Sequence, residues 1–193
     1  MSLLLLVLAA VAGTVQIGVF VGNNVGLGED EPLVYAESDA RDMARIFNEM
    51  GDLSRDRTYL VLGADKATVI DTIYRAEAQV REAQARGDEV RLLFFYSGHG
   101  SSSGLHIEGN LLPMALIRRW LESSEAQVRI AFMDACESGT LARTRGGTPV
   151  EAIDLVVDDS LTMSGLAVVT STGPVSVARG SASFGAVSYT HLR

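Results

Sequence analysis

Apolar positions along the chain fall into runs of two kinds. Val15 to Val21, Thr58 to Leu62, Val90 to Tyr96, Val128 to Met133 and Leu166 to Ser171 are short and rich in Val, Ile, Leu and Phe. Such runs suit strands of a sheet covered on both faces. Between them the apolar residues recur every three or four positions. Ala36, Ala40, Met43, Ala44, Ile46, Phe47 and Met50 predict a helix over Ala36 to Met50, stopped by Gly51. Val69, Ile70, Ile73, Ala76, Val80 and Ala83 predict a second over Lys66 to Arg86, ended by Gly87. Pro113 to Ser123 reads as a third, with its proline in the first turn and Trp120 in the core. Leu105 to Leu112 predicts a small hairpin or edge strand around Gly109-Asn110, after a flexible polar loop, Ser101 to Gly104. His106 is expected to be an exposed strand residue. Leu141 to Pro149 reads as loop, extended to about Ser160.

Two of the strands stand out by the polar residues at their carboxyl ends. Val90 to Tyr96 leads into Ser97-Gly98-His99-Gly100, and Val128 to Met133 into Asp134-Ala135-Cys136-Glu137-Ser138-Gly139. Open α/β sheets place their chemistry at the carboxyl ends of strands. If the two strands are parallel neighbours, His99 and Cys136 face one cleft. A thiol becomes a nucleophile on losing its proton, and an imidazole titrating near neutrality is the usual acceptor. The pair therefore points to a cysteine hydrolase, with the amides of Gly100 and Cys136 as donors to a developing oxyanion. Taken singly, Cys136 reads as a buried structural thiol and His99 as a turn residue. Alternation puts Asp134 on the same side of its strand as Cys136.

Tyr96-Ser97-Gly98-His99-Gly100 together with Asp134-Ala135-Cys136-Glu137-Ser138-Gly139 resembles the two signatures of caspase-like peptidases, closest to bacterial caspase-domain proteins and metacaspases. The resemblance implies a three-layer α/β/α sandwich with a mainly parallel sheet, and an endopeptidase acting on protein or peptide substrates. It further implies a His99 and Cys136 dyad working through a thioester acyl-enzyme. In metacaspases acids matching Asp39 and Asp134 line the pocket for the residue before the cleaved bond, which implies cleavage after Arg or Lys. Arg143 and Arg145 then become candidate self-processing sites. Glu137-Ser138-Gly139 is also similar to the legumain-like branch, whose specificity is for Asn or Asp. In caspase-like proteins a turn like Gly22-Asn23-Asn24 shapes the floor of the cleft.

Composition narrows the partners. A net charge of -8 and no basic stripe argue against nucleic acid. One cysteine excludes an internal disulfide, and three histidines without paired spacing argue against a structural zinc. No cofactor is expected; Asp154, Asp158 and Asp159 leave calcium activation open, although loop solvation accounts for them. The glycine-rich turn Gly22 to Gly28 supports an alternative of another class, a non-catalytic nucleotide-binding α/β module. Its spacing fits neither standard phosphate fingerprint, and Glu29-Asp30-Glu31 would repel a phosphate. Leu3 to Ala12 is an apolar run too short to span a bilayer as a helix. It reads either as a signal peptide cut before Gly13, making the protein exported, or as an extended first strand in a cytoplasmic one. Val187 to Arg193 reads as a translated sequencing adapter or as the start of a further helix, and in both cases the domain is expected to be truncated at its C-terminus. Residues 13–186 are then one peptidase domain. Nothing in the sequence fixes an oligomeric state.

Overall fold

The computed structural model describes residues 13–135, 165–170 and 176–178. In chain order these form β1 (Thr14–Asn23), α1 (Ala36–Met50), a 3-10 turn (Arg55–Arg57), β2 (Thr58–Leu62), α2 (Lys66–Ala85) and β3 (Glu89–Gly98). Beyond them lie β4 (Gly100–Ser101), β5 (Gly104–Ile107), β6 (Asn110–Pro113), α3 (Met114–Ser123), β7 (Val128–Asp134), β8 (Gly165–Thr170) and β9 (Ser176–Ala178). The main sheet has six strands in the order β2-β1-β3-β7-β8-β9. Its first five strands are parallel, and β9 runs antiparallel to β8.

The unbroken apolar runs arise because both faces of this sheet are covered. On one face Phe20 and Phe95 pack against Ala40 and Ala44 of α1 and against Leu53. On the other, Ile17, Val19, Leu92 and Phe94 pack with Val69, Ile73 and Val80 of α2 and Ile117 and Trp120 of α3. The result is a three-layer α/β/α sandwich with a mainly parallel central sheet. Phe94 is fully buried and meets the Trp120 ring edge-on, centroids 5.5 Å apart. Phe94→Ala should therefore cost about 3–5 kcal/mol of unfolding free energy in a denaturant titration.

Local signals place the elements well. Asp65 caps α2 by accepting from the Thr68 amide at 2.8 Å, and α1 ends at Met50 with Gly51 as its C-cap. The second sheet, in the order β4-β5-β6, differs from expectation in three ways. Gly100 and Ser101 pair with Leu105 and Gly104, so part of the expected polar loop is a strand. The hairpin turns on Glu108 and Gly109, both with positive φ (44° and 74°), one residue earlier than Gly109-Asn110. Positive φ at both positions is the type I′ pattern, one of the two-residue connections that match strand twist. Pro113 closes β6 and is the N-cap of α3, one position before the first turn in which it is expected, its missing N–H being harmless at either place. The antiparallel β9 is a further element that the apolar pattern does not announce.

Candidate active site

The parallel strands all bring their carboxyl ends to one edge of the sheet. There Asn23 of β1 lies opposite Gly98 of β3, and Ser97 of β3 lies opposite Asp134 of β7. Helix α1 follows β1 and sets its first turn against the same edge. Gly22 runs so close beneath it that a Cβ there would stand 2.6 Å from the Ala36 carbonyl oxygen. This approach places Asp39 over β3, where the Ser97 hydroxyl donates to Asp39 Oδ2 at 3.4 Å. Asp39 is a surface residue, yet water lost around its carboxyl raises the pKa above 3.8. The Asp134 charge adds to that rise, the Ser97 hydrogen bond opposes it, and Asp42 contributes further. Two acids from distant parts of the chain, Asp39 and Asp134, thus face a common space at the sheet edge.

His99 leaves β3 just beyond Gly98 and is half-buried. Its Nε2 lies 2.7 Å from the backbone carbonyl oxygen of Glu31. A carbonyl only accepts, so the proton of the neutral ring sits on Nε2 and Nδ1 is left to receive one. The residue's own backbone is held as well: the buried Tyr96 hydroxyl lies 2.6 Å from the His99 carbonyl oxygen and 3.1 Å from that of His106, and donates to them. Burial, and after it the charge of Asp30, raises the Tyr96 pKa, keeping the hydroxyl protonated as a donor. Gly98 permits this fold-back, because a Cβ there would lie 2.5 Å from the Tyr96 hydroxyl oxygen. Gly98→Ala should displace that hydroxyl and lower the melting temperature. Calorimetry against wild type checks it.

The loop supplying Glu31 is built from its own side chains. Asn23, buried, donates to the Ala64 carbonyl at 3.1 Å and accepts from the Val25 amide at 3.0 Å. Asp30 Oδ2 accepts from the Leu27 amide at 2.6 Å, and the Asp30 amide donates to the Leu27 carbonyl at 2.9 Å. Several amides that a phosphate would need in this turn are therefore engaged within the loop. His106, expected on the surface, is a correction: its side chain is 12% exposed, with Nδ1 2.6 Å from Asp30 Oδ2 and Nε2 3.0 Å from Ser101 Oγ. It does sit on a strand, but the loop that covers that face comes from far earlier in the chain.

Gly100 begins β4, paired with Leu105, directly after His99. Cys136 lies outside the described residues, one position beyond Ala135, as do Glu137, Arg143, Arg145, Asp154, Asp158 and Asp159. Residues 1–12 and 187–193 lie outside them too. Among the described residues no group of three or more His, Cys, Asp or Glu side chains is placed to hold a metal, and no helix is long and apolar enough to cross a membrane. Sequence reasoning missed three contributors: the Glu31 carbonyl, Ser97 between the two acids, and the Asp30–His106 pair. A backbone carbonyl carries no residue signature. Ser97, by contrast, carried a signal that could have found it, since it stands two residues before His99 at the end of β3.

No curated protein matches the sequence. A match to the caspase domain family, Peptidase_C14, extends over residues 16–188, covering the sheet, its helices and both strand-end motifs. By that match the chain belongs to the caspase-domain family of cysteine peptidases.

Proposed function

We propose that the protein is an endopeptidase of the metacaspase kind, cleaving after Arg or Lys, with His99 and Cys136 as its catalytic dyad. The observation that carries this reading is the convergence of Asp39, Asp134 and the oriented His99 at one sheet edge. With Nε2–H donated to Glu31, His99 Nδ1 takes the thiol proton of Cys136. The thiolate attacks the scissile carbonyl carbon, and the oxyanion is received by the amides of Gly100 and Cys136. The intermediate collapses as the imidazolium gives its proton to the leaving amine, leaving a thioester. Water, deprotonated by the same imidazole, then attacks the thioester; the acid leaves and the thiol is reprotonated. Asp39 and Asp134 would hold the guanidinium or ammonium of the residue before the cleaved bond. Arg143 and Arg145, in a Gly, Thr and Pro-rich stretch, would be internal substrates of the same specificity.

A panel of fluorogenic peptides carrying Arg, Lys, Asn or Asp before the reporter, tried on wild type and Cys136→Ala, tests this reading. Hydrolysis of the Arg and Lys peptides by wild type alone is expected. Preference for Asn or Asp would replace it with legumain-like or caspase-like specificity, and turnover by Cys136→Ala would remove the dyad. Incubating purified wild type should also give new N-termini at Thr144 or Gly146, absent from Cys136→Ala. An intact wild-type chain that still cleaves peptides rejects self-processing.

A further inference from the structure

We infer that Asp30 and His106 form a positioning pair for His99, holding the carbonyl of Glu31 where it fixes the tautomer and orientation of the catalytic ring. The inference rests on His99 being the base. Asp30 directly precedes Glu31, so an anchored Asp30 side chain fixes the chain one residue before the Glu31–Pro32 peptide unit whose carbonyl His99 addresses and limits where that unit can lie. The anchor is a short charge-capable contact, His106 Nδ1 to Asp30 Oδ2 at 2.6 Å, with both side chains mostly buried, 12% and 21% exposed. Such contacts are stronger and more directional than neutral ones.

His106 is itself tied to the catalytic histidine from the other side. Its backbone amide donates to the His99 carbonyl at 3.0 Å, and the Tyr96 hydroxyl is shared between the His99 and His106 carbonyls. Nε2 of His106 meets Ser101 Oγ, two residues past His99. The loop is also stitched to the hairpin turn, since the amides of Glu108 and Gly109 donate to the carbonyls of Val25 and Gly26 at 2.9 and 2.8 Å. One closed circuit results: His99 ring, Glu31 carbonyl, Asp30 carboxylate, His106 ring, His106 backbone, His99 backbone. A ring held at both its side chain and its main chain has one orientation available for proton transfer.

The circuit also carries charge. The titratable groups set against Asp30 are His106, His99 and Tyr96. Burial works to raise the Asp30 pKa, but the His106 contact, the Leu27 amide and the nearby imidazoles outweigh it, and the carboxyl stays below 3.8. The charge that His99 can carry is thus one of the influences holding the Asp30 carboxylate ionised beside it.

Four variants of the full chain test the pair: Asp30→Ala, Asp30→Asn, His106→Ala and His106→Asn, with His99→Ala alongside. Asp30→Ala and His106→Ala should lower kcat about tenfold to a hundredfold on the preferred peptide, with KM changed by less than about twofold. His106→Asn, whose Nδ2 stands where Nδ1 does and can still donate to Asp30, should recover most of the loss. Asp30→Asn, whose side-chain oxygen can still accept from the Leu27 amide and His106, should lose less kcat than Asp30→Ala. In ¹⁵N imidazole spectra, which need no turnover, His99 should be the Nε2–H tautomer in wild type and a mixture in Asp30→Ala. Folded variants with wild-type kcat and tautomer overturn the pair. Full activity in His99→Ala instead overturns the dyad, and the tautomer measurement still decides whether Asp30 and His106 orient that ring.

Discussion

His99→Ala is expected to lose about 10²- to 10⁴-fold in kcat at neutral pH, the usual contribution of a positioned general base, while folding normally. The ring is half-buried at the sheet edge, with its Nε2 on a loop carbonyl and no place in either apolar core. Its removal therefore leaves the core packing intact, and the melting temperature should move little. The chemistry should suffer far more, since a thiol with an ordinary pKa of about 8.5 is only a few per cent ionised at neutrality. The loss should be pH-dependent in a telling direction. With the imidazole as the proposed base, the wild-type rate should level off towards alkaline pH. In the variant, bulk solvent must ionise Cys136, and kcat should keep climbing through the alkaline range. Alkylation of the single cysteine by iodoacetamide at a series of pH values gives the same comparison without substrate. A variant with wild-type rate and pH profile would assign the base to another group.

The order of elements was legible because each layer left its own mark. β1 and β3 are buried on both faces, so their sequences lose alternation and become continuous apolar runs, and β2, β7 and β8 read the same way although most of their residues are only half-buried. The helices keep their period because only one side of each meets the sheet, as Ala36, Ala40 and Ala44 do in α1. Pairing order is another matter. β1 sits between β2 and β3, and nothing in the composition of Val15 to Val21 says which neighbours it takes. The short strands β4 and β9 escaped because two or three residues are too few to show a period. At the site, motifs next to strand ends were readable, and contacts closing between segments were not. Asp30 and His106 are 76 positions apart, and their meeting depends on the loop after β1 crossing the small sheet. Asp39 shows the middle case: the family motif pointed to it, while its hydrogen bond from Ser97 and its raised pKa emerge only in the folded chain.

Asp134→Ala should abolish most hydrolysis of Arg peptides, by about tenfold or more in kcat/KM, with KM carrying most of the change. Asp39 alone would still attract a cation, but a lone carboxylate at an exposed edge binds a guanidinium weakly against water. Kept together, the acids cost the fold something, and the sign can be worked through for Asp39. Its folded pKa is raised, first by lost hydration and then by Asp134, so the folded state holds a proton that the unfolded chain has released. Stability from that difference is present below 3.8 and is lost as pH rises through the folded pKa. Asp39→Asn should therefore raise the melting temperature at neutral pH and leave it unchanged in acid below 3.8. With Asp39 in the proposed specificity pocket, the same raised pKa would act on substrate binding in the opposite sense. A cationic side chain needs Asp39 ionised, so kcat/KM for Arg peptides should fall with acidification through a pKa above the ordinary carboxylate value. Asp134→Asn removes the neighbouring charge that helps raise Asp39, and its acid limb should move to lower pH. KM measured against pH on an Arg peptide, for wild type, Asp39→Asn and Asp134→Asn, separates these effects. Loss of Arg cleavage together with a stabilised Asp39→Asn would mean that the two acids oppose folding and serve the substrate, whereas unchanged KM in both variants would place the basic side chain elsewhere.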